Sequence, residues 1–321
     1  MFLLKLGGKS SAASTMAGLH PKSSAAKKYA VVTGGNKGIG LEICRQLASQ
    51  GISVVLTARN EKRGLEAVEK LKSSFDISDN IMFHQLDVVD SASVDALAGF
   101  IKNRIGKLDI LVNNAGVNGT TESDTGQVFG YLCRVMFGRG STSKSTSTSN
   151  RYELAVECLQ INYYGTKRTT ETLLPLLRLS DSPRIVNVSS TMGKLGGIHN
   201  KWAKGVLGDM DNLTEEGIDE VLNEFLKDFK EGSDGAKGWP TYWGPYCVSK
   251  AAVTAYTRLL AKKNPGMLIN AVCPGWVRTD LSGGSGTLKP EEGARSAVRL
   301  ALLPDDGPSG LFFDRMQVSS F

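Results

Sequence analysis

The chain has 321 residues, more than a single small module needs, and its 41% hydrophobic and 22% charged content supports a substantial core and excludes global disorder. Lys and Arg number 38 against 32 Asp and Glu, yet six lysines (Lys5, Lys9, Lys22, Lys27, Lys28 and Lys37) precede the first acid, Glu42, so the net charge of +6 belongs to the N-terminal stretch. The balanced remainder lacks the basic body expected of a nucleic-acid or anionic-membrane binder.

Residues 1–27, rich in Ser, Ala and Lys, read as a flexible N-terminal extension or a transit peptide, and residues 28–321 as one domain. From Tyr29 onward short β-branched runs alternate with helical stretches. The runs Tyr29–Thr33, Ile52–Thr57, Ile81–Leu86, Asp109–Asn113, Arg184–Ser189 and Met267–Val272 predict six strands, with Leu311–Phe313 a short seventh. Between the first two, Ile39, Ile43 and Leu47 recur every fourth residue and share one helical face. The expected fold is α/β: a Rossmann-type doubly wound parallel sheet of about seven strands with helices on both faces. Two insertions interrupt it, at about 118–150 and 191–245. The first contains the polar low-complexity run STSKSTSTSN and reads as a mobile loop. The second carries Ile218, Val221, Leu222, Phe225, Leu226 and Phe229 at helical spacing, after a candidate N-cap Thr214 and before Gly232, which predicts an amphipathic helix with a surface to cover.

Five cysteines, odd in number and without a CxxC pair, signal neither a disulfide framework nor a zinc ribbon. Three scattered histidines, His20, His84 and His199, leave little for a metal site or a Ser/His/Asp triad. No apolar run approaches the about 18 residues that span a bilayer. No metal, nucleic-acid or membrane partner is expected, and the expected location is the cytoplasm, with organelle import through the extension as the alternative.

Directly after the first strand, Thr33-Gly34-Gly35-Asn36-Lys37-Gly38-Ile39-Gly40 opens a helix. Glycines there let the backbone turn tightly and approach a pyrophosphate, whose charge is met by free N–H groups at the helix N-terminus. The second strand ends Thr57-Ala58-Arg59-Asn60 without the acid that an NAD ribose needs, whereas Arg59 and Lys37 suit a 2'-phosphate, so NADP(H) is the expected cofactor. Tyr246 and Lys250 form YxxxK, and so do Tyr163 and Lys167. Reduction of a carbonyl needs an acid within hydrogen-bond reach of its oxygen; a tyrosine can be that acid, and a lysine one helical turn away is expected to lower its pKa.

The TGxxxGIG spacing, Asn113-Asn114-Ala115-Gly116 closing the fourth strand, Ser189-Ser190 ending the fifth and YxxxK after it resemble the short-chain dehydrogenase/reductase superfamily, in its order. The resemblance implies a catalytic set of Asn162, Ser190, Tyr246 and Lys250. It makes Tyr163, which precedes the Ser-bearing strand, a structural residue, and it prefers Ser190 over Ser189 for the substrate oxygen. It also implies cofactor contacts from Gly34, Asn36, Lys37, Gly38, Ile39 and Gly40 in the glycine loop, Arg59 after the second strand, and Asp87 and Val88 after the third. Asn114, Ala115 and Gly116 follow the fourth strand, and Pro274, Gly275, Val277 and Thr279 follow the sixth, with Tyr246 and Lys250 on the ribose. The long stretch between Ser190 and Tyr246, with EGSDGAKGWP, YCVSK and CPGWVRTD, looks like the monomeric carbonyl reductase branch, most like its plant neomenthol dehydrogenase and salutaridine reductase group. The implied function is NADPH-dependent reduction of a small apolar ketone or aldehyde by a monomer. An NADP-dependent alcohol dehydrogenase running in the oxidising direction and a non-catalytic NADP-binding sensor are the alternatives. Trp202, Trp239, Tyr242, Trp243 and Trp276 either line an apolar substrate pocket or pack the inserted helix.

Overall fold

A computed structural model describes residues 27–75, 77–120 and 148–321. The expected N-terminal extension, apart from Lys27, and residues 121–147 of the first insertion lie outside the described residues; the last three residues of the Ser/Thr-rich run belong to a helix that starts at Thr148. Strands β1 (Tyr29–Val32), β2 (Ser53–Ala58), β3 (Ile81–Gln85), β4 (Ile110–Asn113), β5 (Arg184–Val188), β6 (Leu268–Cys273), β7 (Phe312–Asp314) and β8 (Gln317–Ser319) form one eight-stranded sheet in the order β3-β2-β1-β4-β5-β6-β7-β8. Seven are parallel; β8 turns back antiparallel on β7, so the expected seven strands gain an edge strand. Its three residues, two of them exposed, are too few to carry an alternation that sequence could reveal.

The helices are α1 (Gly38–Ser49), α2 (Glu61–Ser74), α3 (Ser91–Arg104), α4 (Thr148–Leu159), α5 (Gly165–Leu177), α6 (Lys201–Gly208), α7 (Glu215–Glu231), α8 (Gly244–Lys263) and α9 (Pro290–Ala301). Strand alternation sends Val31, Val55, Leu111, Ile185 and Ile269 to one face, against α3, α5 and α8. Ala30, Val32, Val54, Leu56, Val112 and Val186 face the other way, against α1, α2 and α9. Because both faces are covered, the strands read as near-continuous apolar runs, the pattern of a buried parallel sheet.

The inserted helix α7 begins where the sequence places it. The Thr214 side chain accepts the Gly217 N–H at 3.0 Å, and Gly232 closes the helix in the left-handed region at φ 71°. Ile218, Val221, Leu222 and Phe225 are fully buried, and the helix lies against α4, α6 and α8. Each such side chain contributes about 2 kcal/mol of burial, which makes the helix part of the core. Trp239 caps this contact: its ring meets Phe225 at 5.3 Å, and its Nε1 donates to Asp228 at 2.8 Å.

Candidate active site

The strand order reverses between β1 and β4, and at the C-terminal ends of these two strands an open α/β sheet leaves a crevice for a ligand. The glycine loop follows β1 and Asn113-Asn114-Ala115-Gly116 follows β4, so the two motifs meet across the crevice. Asn114 Nδ2 donates to the carbonyl of Thr33 at 2.9 Å and of Gly34 at 3.2 Å, and Thr33 Oγ1 accepts the N–H groups of Asn114 and Ala115, both at 2.9 Å. Gly34 holds φ +64°, and a Cβ added there would stand 3.0 Å from Ala115 Cα, so only glycine lets the loops close this far. Asn113 faces inward and bonds Thr170 and Asn187, tying β4 to α5 and β5.

Helix α1 opens at Gly38 without a side-chain cap, leaving its first N–H groups to an external anion. Lys37, on the loop, donates to Asp280 at 2.5 Å, the residue after Thr279, and Gly38 faces Thr279. Arg59 is exposed just past β2, and Arg63 together with Lys37 holds the Asp280 carboxyl below its ordinary value, Lys37 more strongly. Asp87 and Val88 follow β3, and the carbonyl of Val88 accepts from Arg168 at 2.7 Å. Pro274 and Gly275 follow β6, and Val277 bridges to Leu288. The residues expected to hold a dinucleotide therefore gather along the strand ends, and their donor set fits a nicotinamide cofactor: glycine loop, uncapped helix start and a cationic patch. Asp280 and Arg63 were not read from the sequence, since only the tertiary fold brings them to Lys37.

Helix α4 runs into α5 through a π-turn, Gln160–Tyr164, which carries Asn162. The wider turn turns the Asn162 amide toward the chain beyond Gly116: Oδ1 accepts the Val117 N–H, and Nδ2 donates to the Val117 carbonyl, both at 2.9 Å. A Cβ placed on Gly116 would stand 3.1 Å from Asn162 Oδ1 and 3.5 Å from Lys250 Nζ, so the three groups converge.

Ser189 and Ser190 face opposite ways. Ser189 Oγ donates to the carbonyl of Lys250 at 3.0 Å and meets Thr254, inside the fold. Ser190 Oγ accepts the Met192 N–H at 3.2 Å and stands beside Tyr246, whose pKa it draws down. Tyr246, on the first turn of α8, is buried beside Trp243, with ring centroids 5.6 Å apart, and Trp243 in turn meets Trp276. Met192, Val117 and Leu281 complete this apolar wall. The five candidate aromatics thus divide: Trp243 and Trp276 border Tyr246, Trp239 packs the inserted helix, and Trp202 and Tyr242 are exposed.

Lys250 Nζ donates to the Val188 carbonyl at 2.7 Å and sits 5.7 Å from the Tyr246 ring centre; burial pulls its pKa down to about 8. The expected lowering of the Tyr246 pKa by Lys250 does not govern this site. Burial pushes the Tyr246 phenol well above its ordinary value, the Cys273 thiol adds to the rise, and the Ser190 hydrogen bond offsets part of it. The second YxxxK lies elsewhere: Tyr163 is fully buried against Tyr256, and Lys167 pairs with Glu215 at 3.0 Å and Asp219 at 3.4 Å of α7, anchoring the inserted helix.

Residues 28–202 match the family model described as short chain dehydrogenase, and residues 232–304 the one described as Enoyl-(Acyl carrier protein) reductase. A (+)-neomenthol dehydrogenase of Arabidopsis thaliana is 56% identical over 92% of this chain and 98% of its own length. A salutaridine reductase of Papaver bracteatum is 53% identical over 94% of this chain and 98% of its own length. Among solved structures, salutaridine reductase from Papaver somniferum superposes with a TM-score of 0.78 at 52% identity, covering 89% of this chain and 99% of that one. Menthone neomenthol reductase from Mentha piperita gives 0.78 at 49% identity, covering 91% and 100%. With the glycine loop, the Asn-Asn-Ala-Gly turn and the tyrosine and lysine of α8 all on one sheet edge, these likenesses agree with the geometry: the chain belongs to the short-chain dehydrogenase/reductase family of oxidoreductases.

Proposed function

We propose that this protein reduces a small apolar ketone or aldehyde to the alcohol with NADPH, at the site formed by Asn162, Ser190, Tyr246 and Lys250. The observation that carries the reading is the buried Tyr246 phenol, set beside Ser190 and walled by Trp243, Trp276 and Met192. Burial keeps the phenol protonated at neutral pH, the form that donates. When bound, the reduced nicotinamide supplies the hydride to the carbonyl carbon. Ser190 turns its hydroxyl onto the carbonyl oxygen, and Tyr246 delivers the proton to that oxygen as the alcohol forms. Lys250 holds the ribose from the far side of Tyr246, and its ammonium limits the cost of the phenolate left behind. Lys37 and Arg59 hold the 2'-phosphate that distinguishes NADPH. The apolar wall suits a hydrophobic substrate, as do relatives whose names refer to neomenthol and salutaridine.

A panel of terpenoid ketones, alkaloid ketones and simple aldehydes, followed by loss of NADPH absorbance, tests this. Turnover on at least one bulky apolar ketone is expected. NADPH binding without turnover across the panel would favour a cofactor sensor.

A further inference from the structure

Ser249 lies between Tyr246 and Lys250 in sequence and is fully buried. Its hydroxyl makes two well-formed bonds. Oγ donates to the Tyr246 carbonyl at 2.8 Å and accepts from Asn162 Nδ2 at 2.9 Å. We infer that Ser249 is a positioning residue for the proposed reaction, fixing the orientation of the Asn162 amide and through it the chain from Gly116 to Val117 beside Lys250.

A serine hydroxyl has one proton, and here it is committed to a backbone carbonyl within the same helix, so toward Asn162 the oxygen can only accept. The group it meets must then be the NH2 end of the amide. That places Oδ1 on the Val117 N–H and the second Nδ2 proton on the Val117 carbonyl, so each polar contact agrees with the others. Reversing the amide would set Oδ1 against the Val117 carbonyl and Nδ2 against its N–H, two repulsive contacts. Without the Ser249 oxygen, one Nδ2 proton retains only the Cys158 sulfur at 3.3 Å, a weak acceptor. The amide then loses the contact that pins it across from Val117; the Tyr246 carbonyl loses its Ser249 bond as well, while Ser190 and the glycine loop keep theirs. The expected route of the effect on turnover is Asn162, whose side chain Ser249 holds, and an Asn162→Ala background separates that route from the Tyr246 carbonyl.

The inference rests on the proposed reductase site, and a double-mutant cycle on the full chain tests it. Ser249→Ala should lower kcat about tenfold, with KM for NADPH nearly unchanged and the thermal midpoint down by a few degrees, the cost of leaving one buried donor poorly satisfied. In an Asn162→Ala background the same substitution should cost nothing further. Ser249→Cys, close in volume and a weaker acceptor, should fall between serine and alanine, and it keeps the cycle readable should the alanine variant fold poorly. In nitrogen-15 spectra, the Asn162 side-chain NH2 protons, assigned by their loss in Asn162→Ala, should move upfield in both Ser249 variants. Wild-type kcat in Ser249→Ala, unmoved NH2 resonances, or an equal loss with and without Asn162 would overturn the assignment. Tyr246→Phe run beside them separates the two levels: full activity there removes the proposed site itself, whereas its expected loss with an indifferent Ser249 removes only this role.

Discussion

Lys37 and Arg59 decide the cofactor in this account, and the magnitudes show why the Lys37–Asp280 pair does not prevent it. The side chains of that pair are 62% and 76% exposed, and such a surface pair is worth at most about 1 kcal/mol, whereas a charge-assisted bond to a phosphate contributes about 1.5 to 3 kcal/mol. A 2'-phosphate therefore outcompetes the carboxylate. Replacing Lys37 and Arg59 together by alanine should weaken NADPH binding at least tenfold and leave NADH nearly unchanged, as read by cofactor fluorescence titration; equal losses for both cofactors would refute the assignment. The buried Lys250 gives a second test. Its pKa stands at about 8, so the ammonium is present below that pH and is lost above it. Since kcat/KM reports the free enzyme, kcat/KM for NADPH should fall as pH rises through about 8, and a flat profile to pH 9.5 would remove Lys250 from cofactor binding. Residues that sit in motifs at strand ends were legible in the sequence, because sequence order there is spatial order. Ser249, Asp280 and Arg63 were not, since each acts through a neighbour far away in the chain. The direction of the Tyr246 shift was also hidden, because it depends on burial rather than on the lysine four residues on.

At the scale of elements, the inserted helix α7 was legible to within its caps, because Thr214, the apolar spacing and Gly232 are all local signals. The π-turn at Asn162 was not, since no local residue type demands it. The short strand β8 escaped for want of length. Helix α7 also bears on assembly: its apolar face is buried against α4, α6 and α8, and Lys167 on α5 holds it by ion pairs to Glu215 and Asp219. A surface covered in this way is not offered to a second chain, which supports the proposal that the protein is a monomer. Light scattering coupled to size-exclusion chromatography should give the mass of one chain; a stable dimer through α5 and α8 would contradict the covering role and favour a lid.

For the whole molecule, the reversal of strand order between β1 and β4 is what turns scattered motifs into a site. It brings the glycine loop beside the Asn-Asn-Ala-Gly turn and leaves β5 and α8 to present Ser190, Tyr246 and Lys250 on the same edge. Sequence alternation was sufficient to predict that sheet; between the two copies of YxxxK it was chain order, Tyr246 after the Ser-bearing strand and Tyr163 before it, that pointed to Tyr246. Among the described residues no helix is long and apolar enough to cross a membrane. The central claim is that Tyr246 donates the proton. Tyr246→Phe keeps the ring against Trp243 and removes only the hydroxyl, so NADPH binding and folding should survive. Turnover on a ketone accepted by the wild type should fall by about 10² to 10⁴, while Tyr163→Phe stays near wild-type activity. Near-full turnover in Tyr246→Phe, or a comparable loss in Tyr163→Phe, would contradict the account.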